Sequence, residues 1–111
     1  MGGRRYVARA WTRDDTLLVL ASYLDRPRGM RIPPQPERER VANLVRRDLD
    51  AVTDRYQAFA DVEAGGAAGP TVTRLWQAYG DRPLDCAIEA DEVLEARKRV
   101  PYHLRKRLDQ P

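Results

Sequence analysis

The residues able to make or break bonds are few in this chain, and their spacing does not suit catalysis. One histidine, His103, and one cysteine, Cys86, occur among 111 residues. Neither an internal disulfide nor a Cys-based metal site therefore has partners. His103 stands alone in the basic run VPYHLRKRL and reads as a surface or phosphate-side group rather than a catalyst. The carboxylates Asp14-Asp15 and Asp91-Glu92 are sequence neighbours, so on a helix each pair diverges. Asp14-Asp15 is better explained by the positive end of a helix dipole. GGAAGP, 65–70, lacks the Lys-Ser/Thr that completes a phosphate-cradling loop. No enzymatic activity, cofactor or metal is expected.

Arginine is what the chain has in quantity. Eighteen of the twenty basic residues are Arg, whose planar fork suits phosphate and guanine. A nucleotide bias toward Arg codons would account for that choice, but not for how charge is distributed. Residues 1–60 hold twelve basic and eight acidic side chains, residues 61–96 two and eight, and residues 97–111 six and one. A basic first half and tail around an acidic segment suggest a polyanion-facing surface with a neutralised back.

These residues must be positioned by helices. The composition, 42% hydrophobic and 33% charged, is that of one globular domain with a modest core. No apolar run approaches the roughly 20 residues that span a bilayer. MGGRRYVARAW has no apolar signal region, so a cytoplasmic, nucleoid-associated location is expected. Thr12 is a good N-cap for a helix over 13–24, with Asp15 in the capping-box position and Leu17, Leu20, Ala21 and Leu24 as its stripe. Four prolines and a glycine make DRPRGMRIPPQP, 25–36, a loop. Pro36 opens a second helix over 37–47 carrying Val41, Leu44 and Val45. RRDLD, 46–50, is a turn capped by Asp48 or Asp50. A third helix runs to Asp61 with Ala51, Val52, Tyr56 and Phe59. Thr71 caps a fourth with Val72, Leu75, Trp76 and Tyr79. A fifth over 84–98 carries Leu84, Ala87, Ile88 and Leu94, and Cys86 is a small buried residue within it. RYVARA, 5–10, is the one candidate strand. The expected fold is mainly α: a compact domain of about five helices over 1–96, then a basic tail, 97–111.

The second and third helices, joined by a tight turn, form a helix-turn-helix pattern. In that motif the second helix presents its N-terminal half to the major groove. Thr53, Asp54 and Gln57 would then point outward, with Arg55 at the border and Arg46 and Arg47 in the turn beside phosphates. A plain helical hairpin fits the pattern equally well.

At this point the residues resemble a family. WTRDDTLLVLASYL is similar to the opening helix of the N-terminal domain found ahead of HNH nuclease modules in McrA-like restriction endonucleases. Arg47, Ala51, Val52, Arg55 and Phe59 match its Arg-x-x-x-[Ala/Ser]-Val-x-x-[Lys/Arg]-x-x-x-Phe pattern. GGAAGPTVTRLWQAYGD resembles its closing Gly-rich stretch and Trp-bearing helix. The similarity spans about residues 9–95, with Ala58 standing where members often have Asn. It implies binding of duplex DNA containing 5-methylcytosine. An HNH module needs several His or Asn metal ligands, so the resemblance implies the reading domain without its cutter.

A domain can sense one methyl group by two routes. In the first, the methyl packs against an apolar side chain in the major groove while Arg holds the neighbouring guanine. Alternatively, the base is flipped into an aromatic pocket while a wedge residue fills the gap. The resemblance and the loop chemistry favour flipping. Trp11, Tyr23, Met30 and Ile32 are the expected base pocket, with Met30 as wedge. Tyr23 lies off the Leu17/Leu20/Leu24 stripe and so need not be core. Trp11 serves equally well as a staple at the helix start, whereas Tyr56 and Trp76 read as core. Arg26, Arg28, Arg31, Arg46, Arg47, Thr53, Arg55 and Gln57 are the expected DNA contacts, and the 97–108 run is either a phosphate clamp or a solvated helix end. The protein is expected as a monomer on methylated duplex DNA, with no membrane partner. A methylation-blind helix-turn-helix regulator and a protein-interaction or antitoxin-like helical domain with compositional basic charge remain as alternatives, and the acidic segment 81–95 is a further candidate partner surface.

Overall fold

The computed structural model describes residues 10–99, and the side chains of residues 10–98. Residues 5–9 of the candidate strand and residues 100–111 of the tail lie outside them. Among the described residues the chain is mainly α and forms five helices: α1 (Arg13–Leu24), α2 (Gln35–Val45), α3 (Leu49–Glu63), α4 (Pro70–Tyr79) and α5 (Pro83–Arg99). None is long and apolar enough to cross a membrane.

Helix α1 is the axle. It packs against all four others, and Leu17, Leu18, Val19, Leu20 and Tyr23 are each 5% exposed or less. Residues on every side of a helix can be buried together only when neighbours surround it. Tyr23 is therefore core, contrary to the expectation drawn from a single stripe. Its ring centroid lies 6.0 Å from that of Phe59 and 6.2 Å from that of Trp76, edge-on to the latter. Thr12 caps α1 as expected, its Oγ1 accepting from the Asp15 amide at 3.0 Å. The second half of a capping box does not form. The buried Asp15 carboxylate instead accepts from Arg97 of α5 at 2.7 Å, pinning the last helix to the first.

Helix α2 begins two residues before the expected start, with Pro36 in its first turn. It ends at Arg46 in the left-handed conformation, φ 58°, which lets the Arg46 and Arg47 amides both reach the Ala42 carbonyl. Asp48 is the N-cap residue of α3, without a side-chain cap hydrogen bond. Tyr56 and Phe59 are wholly buried, as their spacing predicts. Between the helices a polar thread crosses the core: the Tyr56 hydroxyl donates to Ser22 Oγ at 2.7 Å, which donates to Glu37 at 2.7 Å.

Helix α5 differs from expectation in rotation rather than extent. It buries Cys86 and Ala90, with Val93 and Leu94 half-buried. Leu84 and Ile88, predicted as its apolar stripe, are 78% and 59% exposed. The helix runs Pro83–Arg99 against the expected 84–98, so it crosses the expected domain-to-tail boundary at 96.

Candidate nucleic-acid interface

The loop between α1 and α2 is rigidly built. Pro27–Met30 is a turn closed by the Met30 amide to the Pro27 carbonyl at 3.2 Å. Gly29 occupies its third position at φ 87°, where glycine has no Cβ penalty. Arg26 staples the loop. Its guanidinium donates to the carbonyls of Met30 at 2.7 Å and Tyr23 at 2.9 Å and to Glu63 at 3.2 Å. Its Cζ also lies 3.8 Å from the Tyr23 ring centroid. Arg31 bridges to α3, donating to Gln57 at 3.0 Å and Asp61 at 2.7 Å. Ile32 packs against the core instead of facing a base. Met30 is exposed, and Arg28 at the turn's tip is exposed with no partner among the described residues.

Tyr23, Arg26, Met30 and Arg31 nonetheless converge. With Gly29, Ala60, Glu63 and Ala64 they line an open hollow of about 330 Å³. Only the edge of Tyr23 contributes, and its hydroxyl is held by Glu63 at 2.5 Å. Burial, then the Glu63 hydrogen bond, pushes that hydroxyl's pKa up to about 12. Glu63 and Asp61 were not singled out by sequence. The signal that could have found them is the carboxylate spacing on α3, one turn and more beyond Gln57, opposite an Arg-rich loop.

The face of α3 expected to read a groove is largely engaged or acidic. Thr53 accepts from Arg38 at 2.9 Å, and Gln57 accepts from Arg31. The exposed residues Asp50, Asp54 and Asp61 fall on one stripe of carboxylates that repels phosphate. Arg47 does not stand at a phosphate-facing edge. It is 9% exposed and donates to the Ala10 carbonyl at 2.9 Å, with a buried Nε that has no partner among the described residues. Arg47 and Arg55 each place their guanidinium carbon 4.6 Å from the ring centroid of half-buried Trp11. Burial, reinforced by the Arg47 charge, lowers the Arg55 pKa. Trp11 is thus a brace between the α1 start and the α3 start, and its ring is occupied. Arg46 remains exposed.

Charge follows the same division. Residues 10–99 hold fourteen basic and sixteen acidic side chains, net −2, so the chain's +3 comes from residues 1–9 and 100–111. Residues 10–99 as a whole have no net attraction for a polyanion; any such attraction there is local to individual exposed cations.

No family model, curated protein or solved structure matches this chain.

Proposed function

We propose that this protein binds duplex DNA and distinguishes 5-methylcytosine from cytosine, using the 26–32 loop. The observation that carries this reading is the loop itself: an exposed apolar side chain, Met30, between Arg28 and Arg31, on a turn fixed by three hydrogen bonds from Arg26. Such pre-organisation reduces the ordering cost of contact. Met30 packs on the cytosine methyl from the major groove, and Arg28 reaches the neighbouring guanine or phosphate. Groove contact is favoured over flipping because both candidate stacking rings are already covered: Trp11 by Arg47 and Arg55, Tyr23 by Arg26 and the core. Arg46, Arg55 and the cations of residues 1–9 and 100–111 supply sequence-independent affinity.

The test is titration of one CpG-containing duplex in three forms: fully methylated, hemimethylated and unmodified. The expected preference for methylated DNA corresponds to about 1–3 kcal/mol, and Met30→Ala should narrow it. Equal affinity for all three forms would identify a methylation-blind DNA binder. Absence of binding at moderate salt would overturn the DNA reading altogether.

A further inference from the structure

Helices α2 and α5 both pack on α1 but not on each other. Between them runs a slot of about 430 Å³. Its floor is Leu18, Ala21 and Ser22 of α1; Val41 and Leu44 of α2 form one wall, and Leu84, Ala87 and Leu94 of α5 form the other. Leu84, at 78% exposure, projects where a neighbouring helix would cover it. Ile88, a turn further along, is also uncovered. Two helices splayed over a third leave the space of one more helix, and an apolar slot of this kind is a helix-in-groove geometry. Its walled length on α5, Pro83 to Leu94, corresponds to about three helical turns.

The rim specifies charge. Asp25 and Asp91 line the slot, and neither has an ion-pair partner among the described residues. Glu37 is already matched by Arg40 at 2.7 Å. Unmatched carboxylates around an apolar floor attract Lys and Arg and repel an acidic segment. A second copy fits poorly, because α5, the apolar surface it would offer, carries the same acids, and no other described helix has a basic apolar face. We propose that the slot between α2 and α5 docks an amphipathic helix of a partner protein, apolar on one face and bordered by Lys or Arg.

The proposal is tested on the full chain with two labelled synthetic helices sharing Leu at i, i+4 and i+7. One carries Lys at the flanking positions and the other Glu. The Lys peptide should bind about tenfold or more tightly than the Glu peptide, and less tightly as salt rises. Leu84→Ser and Ala87→Gln, both at exposed positions, should each weaken it about tenfold or more without altering the circular dichroism or Tm. Equal binding of the two peptides, no binding of either, or indifference to both substitutions would overturn the proposal. So would a concentration-dependent dimer, seen by sedimentation, that Leu84→Ser dissociates. Residues 100–108 of this chain share the required chemistry, with Val100, Leu104 and Leu108 four apart beside Arg105, Lys106 and Arg107. Lys-peptide binding that emerges only after Leu104→Asp with Leu108→Asp would assign the slot to that segment instead. None of these outcomes depends on DNA binding.

Discussion

The two sides of α1 are finished differently. Toward α3 and α4 it meets Phe59, Val72, Leu75 and Trp76, and Tyr23 closes the contact with its hydroxyl on Glu63. Between α2 and α5 it floors an open slot, with Leu84 and Ala87 left exposed at the edge. The Tyr23 hydroxyl on the closed side has its partner in Glu63; Asp25 and Asp91 on the open side have no ion-pair partner among the described residues. The contrast separates surface shaped for stability from surface left for contact. It also shifts attention away from α3, whose outward stripe is acidic, and toward the loop and the slot.

The widest separation between the two sides should be in stability. Phe59→Ala removes a wholly buried ring and is expected to cost about 3–5 kcal/mol. Leu84→Ser, on the open side, should stay within about 0.5 kcal/mol of the parent. Urea denaturation of both variants measures the difference. Comparable losses would mean that Leu84 is covered in solution and that the open side is closed there.

Next in size is the polar thread joining the sides. Ser22→Ala leaves the buried Tyr56 hydroxyl without its acceptor and removes a donor from Glu37, costing about 1–3 kcal/mol. The same thread sets an alkaline limit. Burial pushes Tyr56 from 10.0 up to about 12, so the folded state holds its proton more tightly than the unfolded chain. That stability is fully present below pH 10 and is lost as pH rises toward 12. Tyr23 contributes in the same window. Tyr56→Phe should flatten the alkaline limb of a stability–pH curve.

A smaller effect belongs to Glu37 at the slot wall. The Arg40 hydrogen bonds hold its carboxyl below the ordinary 4.5, with Ser22 assisting and burial opposing. A depressed folded pKa stabilises above the unfolded value, and the gain disappears as pH falls through the folded one. Because the pair is partly solvated, the change should stay under about 1 kcal/mol. Glu37→Gln should remove that acid slope, as chemical denaturation at stepped pH would show.

The helices were legible because their boundaries are local. Thr12 and the prolines of the 25–36 loop frame α1, and Pro36 marks the first turn of α2. Site residues were less legible, because exposure is decided by neighbours distant in sequence. Tyr23 lies off the leucine stripe, yet α3 and α4 cover that side. The run TLLVLASY is apolar or small on every face, which is the signature of a surrounded helix. Arg47 reads as a surface cation until Trp11 and the Ala10 carbonyl enclose it. On α5, Cys86 is buried as expected and Leu94 half-buried, but Leu84 and Ile88, chosen for their size, are left exposed. The small residues are the ones that allow α5 to approach α1.

Arg28 gives the smallest stability effect and the sharpest reading of the loop. Arg26 and Arg31 flank it in sequence and both bind within the fold, so replacing either changes structure as well as surface charge. Arg31→Ala, for example, gives up an exposed ion pair with Asp61 worth about 0.2–1 kcal/mol. Arg28 has no such partner among the described residues and sits at the tip of a turn fixed by other residues. Arg28→Ala should therefore leave urea stability unchanged within about 0.5 kcal/mol. If it contacts a phosphate, affinity falls on every duplex and the salt slope becomes shallower by about one. If it holds guanine, the loss instead reaches about 1–3 kcal/mol on the matched sequence and shrinks on others. An unchanged affinity with both duplexes would show that the loop is only a brace for α1 and α3, leaving the slot as the contact surface of the described fold.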